Sequence, residues 1–179
     1  MTVREAERTA VRDAEPVERS VAMGDPAVRP MLDGLAEEYT RRYGAEAAER
    51  ELAAYPDADF AAPHGGVVLI ELGGRPVAGG AFRRLDGATA EFKRIWTDAA
   101  HRRRGLGRRA MAALEAAAAR SGYRRAYLTT GPEQPEAVAL YTRLGYALSS
   151  AEGLDERGGR RYYAFSKELG GGAASYDGR

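Results

Sequence analysis

The sequence predicts an α/β (α+β) fold: a mixed, mostly antiparallel central sheet flanked by about four helices. Three observations carry this reading. Three strand-like runs between Val67 and Thr97 are joined by short Gly/Asp turns, which makes an antiparallel meander. The run Arg124 to Thr130 is reached only through an alanine-rich helical stretch, and a strand reached by a helical crossover lies parallel to its predecessor. Elsewhere apolar residues recur at helical spacing, as in Val28, Met31, Leu32, Leu35 and Tyr39.

Taken in order, Met1 to Glu15 is polar, mixed in charge and aperiodic, and is expected to be a flexible arm. Val17 to Met23 reads as a first strand. Asp25-Pro26 is a helix start, an N-cap with proline in the first turn, and that helix ends near Gly44. A second helix spans about Ala45 to Tyr55 and stops at Pro56, with Asp57 to Gly66 as loop. Val67 to Leu72, Val77 to Arg84 and Thr89 to Thr97 are strands, separated by Gly73-Gly74-Arg75-Pro76 and by Asp86-Gly87. The next helix shows Met111, Leu114 and Ala118 on one face and ends at Ser121-Gly122. After the Arg124 strand comes a helix from Pro135 to Leu144, capped by Gly145. Tyr146 to Ser149 and Arg161 to Lys167 form a closing pair of strands around the polar stretch Glu152 to Gly159. Gly170 to Arg179 is Gly-rich and expected to be disordered, so one domain, 16–169, remains between the two ends.

Composition narrows the functions open to the chain. Its 179 residues suit one domain with one site. A net charge of +1 gives no global basic field of the kind that grips nucleic acid. Cysteine is absent and there are 2 histidines, which argues against disulfides, thiolate nucleophiles and a metal site. With no apolar leader and no run of membrane-spanning length, the expected location is the cytoplasm, with no membrane partner.

Positive charge is instead local, in Arg102-Arg103-Arg104-Gly105-Leu106-Gly107-Arg108-Arg109, between the strand ending at Thr97 and the alanine-rich helix. Glycines that let backbone approach closely, successive N–H groups and a helix start together make a cradle for a phosphorylated ligand. G-x-x-x-x-G-K-[S/T] is missing, so this is not a nucleoside-triphosphate loop. Two spacings give the cradle its company. One is Arg102-x-x-Gly105-x-Gly107, with Glu91 upstream on the preceding strand. The other is Gln134-x-x-Ala137-x-x-Leu140-Tyr141-x-x-x-Gly145-Tyr146. Jointly they resemble the GCN5-related N-acetyltransferase (GNAT) superfamily, strongly over Val67 to Lys167, with a departure at Gln134, where the family often has Asn.

The resemblance implies a GNAT fold whose sheet is splayed between the Glu91 strand and the Arg124 strand, with acetyl-CoA as cosubstrate in the split and no metal. It implies that the diphosphate sits on the amides around Arg103, Arg104, Gly105, Leu106, Gly107 and Arg108, beside Arg102. The pantetheine arm would pair with the backbone at Ile95, Trp96 and Thr97, the Ile95 N–H serving as oxyanion donor. Gln134 and Ala137 would complete the coenzyme site, Gln134 touching the arm or capping its helix. Acetyl transfer to an amine needs a base, an oxyanion donor and an acid for the departing thiolate. By this resemblance Glu91 matches the general base of the family's histone-modifying branch, and Tyr141 the phenol with which many members protonate the departing sulfur. Strand alternation puts Lys93 on the Glu91 face, where an ion pair would weaken the base. His101 reads as a surface residue.

The first two helices and the last hairpin would wall the acceptor cleft, with Tyr39, Arg42, Tyr43, Lys93 and Tyr163 (next to Tyr162) as candidates. Aromatics with an arginine suit a small amine that also bears a carboxylate. With no cysteine nucleophile and no G-x-S-x-G elbow, the expected mechanism is direct attack in a ternary complex. The expected partner is a small-molecule amine, with an edge strand near the C-terminus as a homodimer contact. The alternatives are an acetyl-CoA-sensing module with weak catalysis and a protein N-acetyltransferase.

Overall fold

The computed structural model describes residues 14–150, 152–156, 158–159 and 161–170. The expected N-terminal arm, up to residue 13, and the Gly-rich tail beyond residue 170 lie outside these. Seven strands form one sheet: β1 (Val17–Val21), β2 (Gly66–Leu72), β3 (Arg75–Arg84), β4 (Thr89–Thr97), β5 (Arg125–Thr130), β6 (Ala147–Leu148) and β7 (Tyr163–Glu168), in the order β1-β2-β3-β4-β5-β7-β6. All neighbours are antiparallel except β4 and β5, which are parallel, as the helical crossover requires. Among the described residues four α-helices complete the fold: α1 (Arg29–Tyr43), α2 (Ala45–Ala53), α3 (Leu106–Arg120) and α4 (Pro135–Arg143).

β2 is apolar on both faces because both are covered. Val68 and Ile70 join Phe82, Phe92, Met111 and Leu114 in the larger core, under α3 and α4. Val67 and Leu69 point the other way, to Met31, Leu35, Phe60 and Trp96 under α1. Burying each such side chain contributes about 1.5–3 kcal/mol.

Local chemistry sets the boundaries. Asp25 accepts from the Ala27 N–H as expected of a cap, but it starts a 3-10 turn, Pro26–Val28, which runs into α1. Gly44, at φ 87°, ends α1. Between β2 and β3 the turn is Gly73-Gly74 alone, since Leu72 already pairs with Arg75. The strand expected from Tyr146 shrinks to Ala147–Leu148 because Tyr146 turns into the core, its hydroxyl donating to Glu115 at 2.9 Å. Among the described residues no helix is long and apolar enough to cross a membrane.

Candidate active site: a split sheet with a pocket beside it

β4 and β5 share three residue pairs, Thr89↔Arg125, Ala90↔Ala126 and Glu91↔Tyr127, and then part. Beyond Glu91 the β5-facing edge of β4 has no strand partner among the described residues. A second irregularity sits on the opposite edge. Gly79 pairs with Trp96 and Ala81 with Lys93, so Arg94 and Ile95 face the single residue Gly80. This is a β-bulge, and Arg94 takes a left-handed φ of 59° to make it. The bulge shifts the alternation, so Lys93 and Arg94 both turn toward α2. Lys93 reaches Glu51, while Arg94 donates to the carbonyls of Leu52 and Tyr55.

The Arg/Gly loop closes the wide end of the split. Gly105 is the N-cap residue of α3, at φ 75°, and no side chain caps the helix. The first helical bond runs from the Arg109 N–H to the Gly105 carbonyl, so the amides of Leu106, Gly107 and Arg108 have no intrahelical acceptor. A Cβ at Gly107 would lie 3.4 Å from Thr97 Oγ1 and 3.5 Å from Leu140 Cδ2, which brings loop, β4 end and α4 to one point. Arg103, Arg104 and Arg108 are exposed. Arg102 pairs instead with Glu38 of α1 at 3.2 Å. His101 pairs with Asp98 in the preceding turn.

Glu91 is buried and doubly engaged. Arg83 Nη1 donates to it at 2.7 Å, and Lys93 Nζ stands 3.9 Å from its other oxygen. The expected Lys93 contact is therefore present, but Arg83 is the closer partner. Arg83 also holds Asp59 at 3.2 Å, and Lys93 holds Glu51 at 3.1 Å.

Tyr141 is buried on α4, its ring packed against Phe165 and Tyr146 at 5.6 and 6.0 Å between centroids. No described residue hydrogen-bonds its hydroxyl. Burial pushes the phenol well above its ordinary pKa, and electrostatic interaction with Tyr39 and Glu38 pushes the same way.

Gln134 occupies the N-cap position of α4 but does not cap it. Its Oε1 accepts from Thr130 Oγ1 at 2.9 Å, and its amide meets the Tyr43 hydroxyl. Pro135 at the first helical position removes one donor that a cap would have served. Ala137, one turn on, is half-buried against the larger core. Tyr43 presses on Gly131 so closely that a Cβ there would lie 2.1 Å from its hydroxyl. Arg42 is bound to Glu38, to Glu136 and to the Glu133 carbonyl. The end of α1 is thus strapped to the start of α4.

A cavity of about 370 Å³ opens beside the split, on the α1–α2 face of the sheet. Tyr39, Tyr43, Glu51, Lys93, Thr129, Thr130, Gln134 and Tyr162 are among its walls. Three of the expected acceptor residues, Tyr39, Tyr43 and Lys93, line it. Two do not. Arg42 is turned away into its carboxylate cluster, and Tyr163 packs on the larger core, leaving Tyr162 to face the cavity. Glu51, Thr129 and Thr130 were not anticipated. Arg83 could have been, because the β3–β4 hairpin pairs it directly with Glu91.

The model of the acetyltransferase (GNAT) family matches residues 30–146. A GNAT-family acetyltransferase of Staphylococcus aureus aligns with a TM-score of 0.68 at 12% identity, over 87% of this chain and 100% of its own. One from Streptococcus pneumoniae gives 0.65 at 19%, over 87% and 100%. One from Elizabethkingia anophelis, solved with acetyl-CoA bound, gives 0.61 at 17%, over 86% and 98%. At such identities the likeness is one of fold. No curated protein matches the sequence.

Proposed function

The chain belongs to the GNAT family of acetyltransferases, and on that footing we propose that it passes an acetyl group from acetyl-CoA to the primary amine of a small molecule, by direct attack in a ternary complex. One observation carries the reading: the parallel pair β4–β5 parts after three residue pairs, next to a helix start with uncapped amides. The residues present fit the coenzyme. Amides of Leu106, Gly107 and Arg108 would hold the diphosphate, with Arg103, Arg104 and Arg108 exposed around them. The open edge of β4, from Phe92 to Thr97, would pair with the amides of the arm as an added strand would. Gln134 and Ala137 would line the α4 side of that path.

Acetyl-CoA, when bound, supplies an activated thioester and a thiol leaving group. The protein's part is to orient, polarise and move protons. In becoming an amide, the acceptor ammonium gives up two protons, one to the sulfur and one to solution. Tyr141 is the proposed donor to sulfur; its buried phenol stays protonated well into the alkaline range. The Ile95 N–H, at the bulge, is the proposed donor to the carbonyl oxygen. Glu91 is the proposed first acceptor of the ammonium proton, by way of water. Its 2.7 Å bond from Arg83 favours a second reading, in which Glu91 only fixes Lys93 and that proton leaves directly to solvent.

The test is release of free coenzyme A across an amine panel, followed with a thiol reagent. Turnover is expected, with Tyr141→Phe lowering kcat by about 10²-fold at unchanged acetyl-CoA affinity. Coenzyme binding without thiol release from any amine would leave a sensing module in place of an enzyme.

A further inference from the structure

The groups around Glu91 form a chain of alternating sign. Asp59 meets Arg83 at 3.2 Å, Arg83 meets Glu91 at 2.7 Å, Glu91 meets Lys93 at 3.9 Å, and Lys93 meets Glu51 at 3.1 Å. Three carboxylates against two cations leave one negative charge in excess, and the neighbouring Arg94 is matched by its own partner, Asp57, at 3.8 Å. The inner members are covered, the side chains of Glu91 and Lys93 being 8% and 13% exposed. Glu51, the terminal member, is 52% exposed and stands in the cavity wall. The next group that continues the alternation is a cation arriving in the cavity.

A carboxylate arriving there finds no comparable place. Lys93 is the one cationic side chain lining the cavity among the described residues, and two carboxylates already share it. Its Nζ is also seated 4.9 Å from the centre of the Tyr55 ring. Arg42, the arginine that a substrate carboxylate would need, is committed to Glu38, Glu136 and the Glu133 carbonyl. The remaining walls suit a cation with an apolar body. Tyr39, Tyr43 and Tyr162 offer ring faces and edges, and Thr129 and Thr130 offer oxygens. About 370 Å³ is at the small end for a ligand pocket.

We infer that the acceptor is a cationic alkylamine or arylalkylamine carrying no carboxylate, received as its ammonium by Glu51. This rests on the acetyl-transfer reading of the same site, and it replaces the carboxylate-bearing amine expected from the sequence, because Arg42 does not face the cavity.

The experiment uses matched pairs that differ by one carboxylate: phenethylamine against phenylalanine, and pentane-1,5-diamine against lysine. Each is added to the protein with acetyl-CoA, and both thermal stabilisation and thiol release are read. The amine of each pair is expected to exceed its amino acid in kcat/KM by at least about tenfold. Glu51→Gln should bring that ratio toward one, since it removes the terminal negative charge and frees Lys93, with the KM for acetyl-CoA unchanged. A merely structural role for Glu51 would slow both members alike and keep the ratio. Preference for the amino acids, or a ratio unmoved by Glu51→Gln, overturns the inference while thiol release keeps the transfer reading. Amines that stabilise the protein without releasing thiol uphold the pocket's preference and overturn transfer.

Discussion

At the scale of single residues, the site turns on what each carboxylate already holds. Glu91→Gln is expected to lower kcat by about 10²-fold, with the acetyl-CoA dissociation constant unchanged. A variant that keeps kcat and raises only the KM for the amine assigns Glu91 to positioning Lys93. The position of Glu91, and its sharing a face with Lys93, were legible in strand alternation. The Arg83 contact was equally legible, because a hairpin turning at Asp86-Gly87 fixes which residues stand opposite. Glu51 was not, since no spacing in a sequence says which turn of α2 will lie over which strand. Tyr162 and Tyr163 show the same limit: adjacent residues point to opposite sides, and only the register of β7 decides which faces the cavity.

Whole elements were easier to read where their ends carry unambiguous residues. β4 spans Thr89–Thr97 as its pattern predicts, and α1 stops at Gly44. The start of α3 depends most on one residue. Gly105 sits at φ 75° with open space where a Cβ would go, so the constraint is conformational rather than steric. Gly105→Ala therefore forces an L residue into the left-handed region, at about 1–2 kcal/mol. The helix is expected to answer by shifting its first turn, weakening acetyl-CoA about tenfold as measured by calorimetry and lowering the melting temperature. Unchanged affinity would place the diphosphate elsewhere. The bulge in β4 escaped prediction because Lys93-Arg94-Ile95 carries no glycine to mark it; Arg94 accepts the left-handed angle while its side chain is anchored on Leu52 and Tyr55.

For the molecule as a whole, tyrosines make stability sensitive to alkali. Tyr39, Tyr141 and Tyr146 all have phenols raised above their ordinary pKa, with burial the largest cause in each. Below about pH 10 both folded and unfolded chains keep these protons, so the contribution is complete. Above it the unfolded chain releases them and the folded chain does not. Unfolding free energy should then fall by about 1.4 kcal/mol per pH unit for each such tyrosine. Urea titrations between pH 9 and 11, on the order of those values, would show a falling midpoint, and a flat one would deny the burial. The sheet order was legible in outline, because short turns and one helical crossover leave few alternatives. The depth of the split was not, since it is set by how far two strands keep company rather than by either alone. That short junction has a mechanical consequence. The strand ladder joins the two halves of the sheet through three rungs only, the rest of their union being the apolar core beneath. An arm docked along the open edge of β4 would act as a splint. On the proposed reading, stiffness would be lent by the donor and returned with the spent thiol.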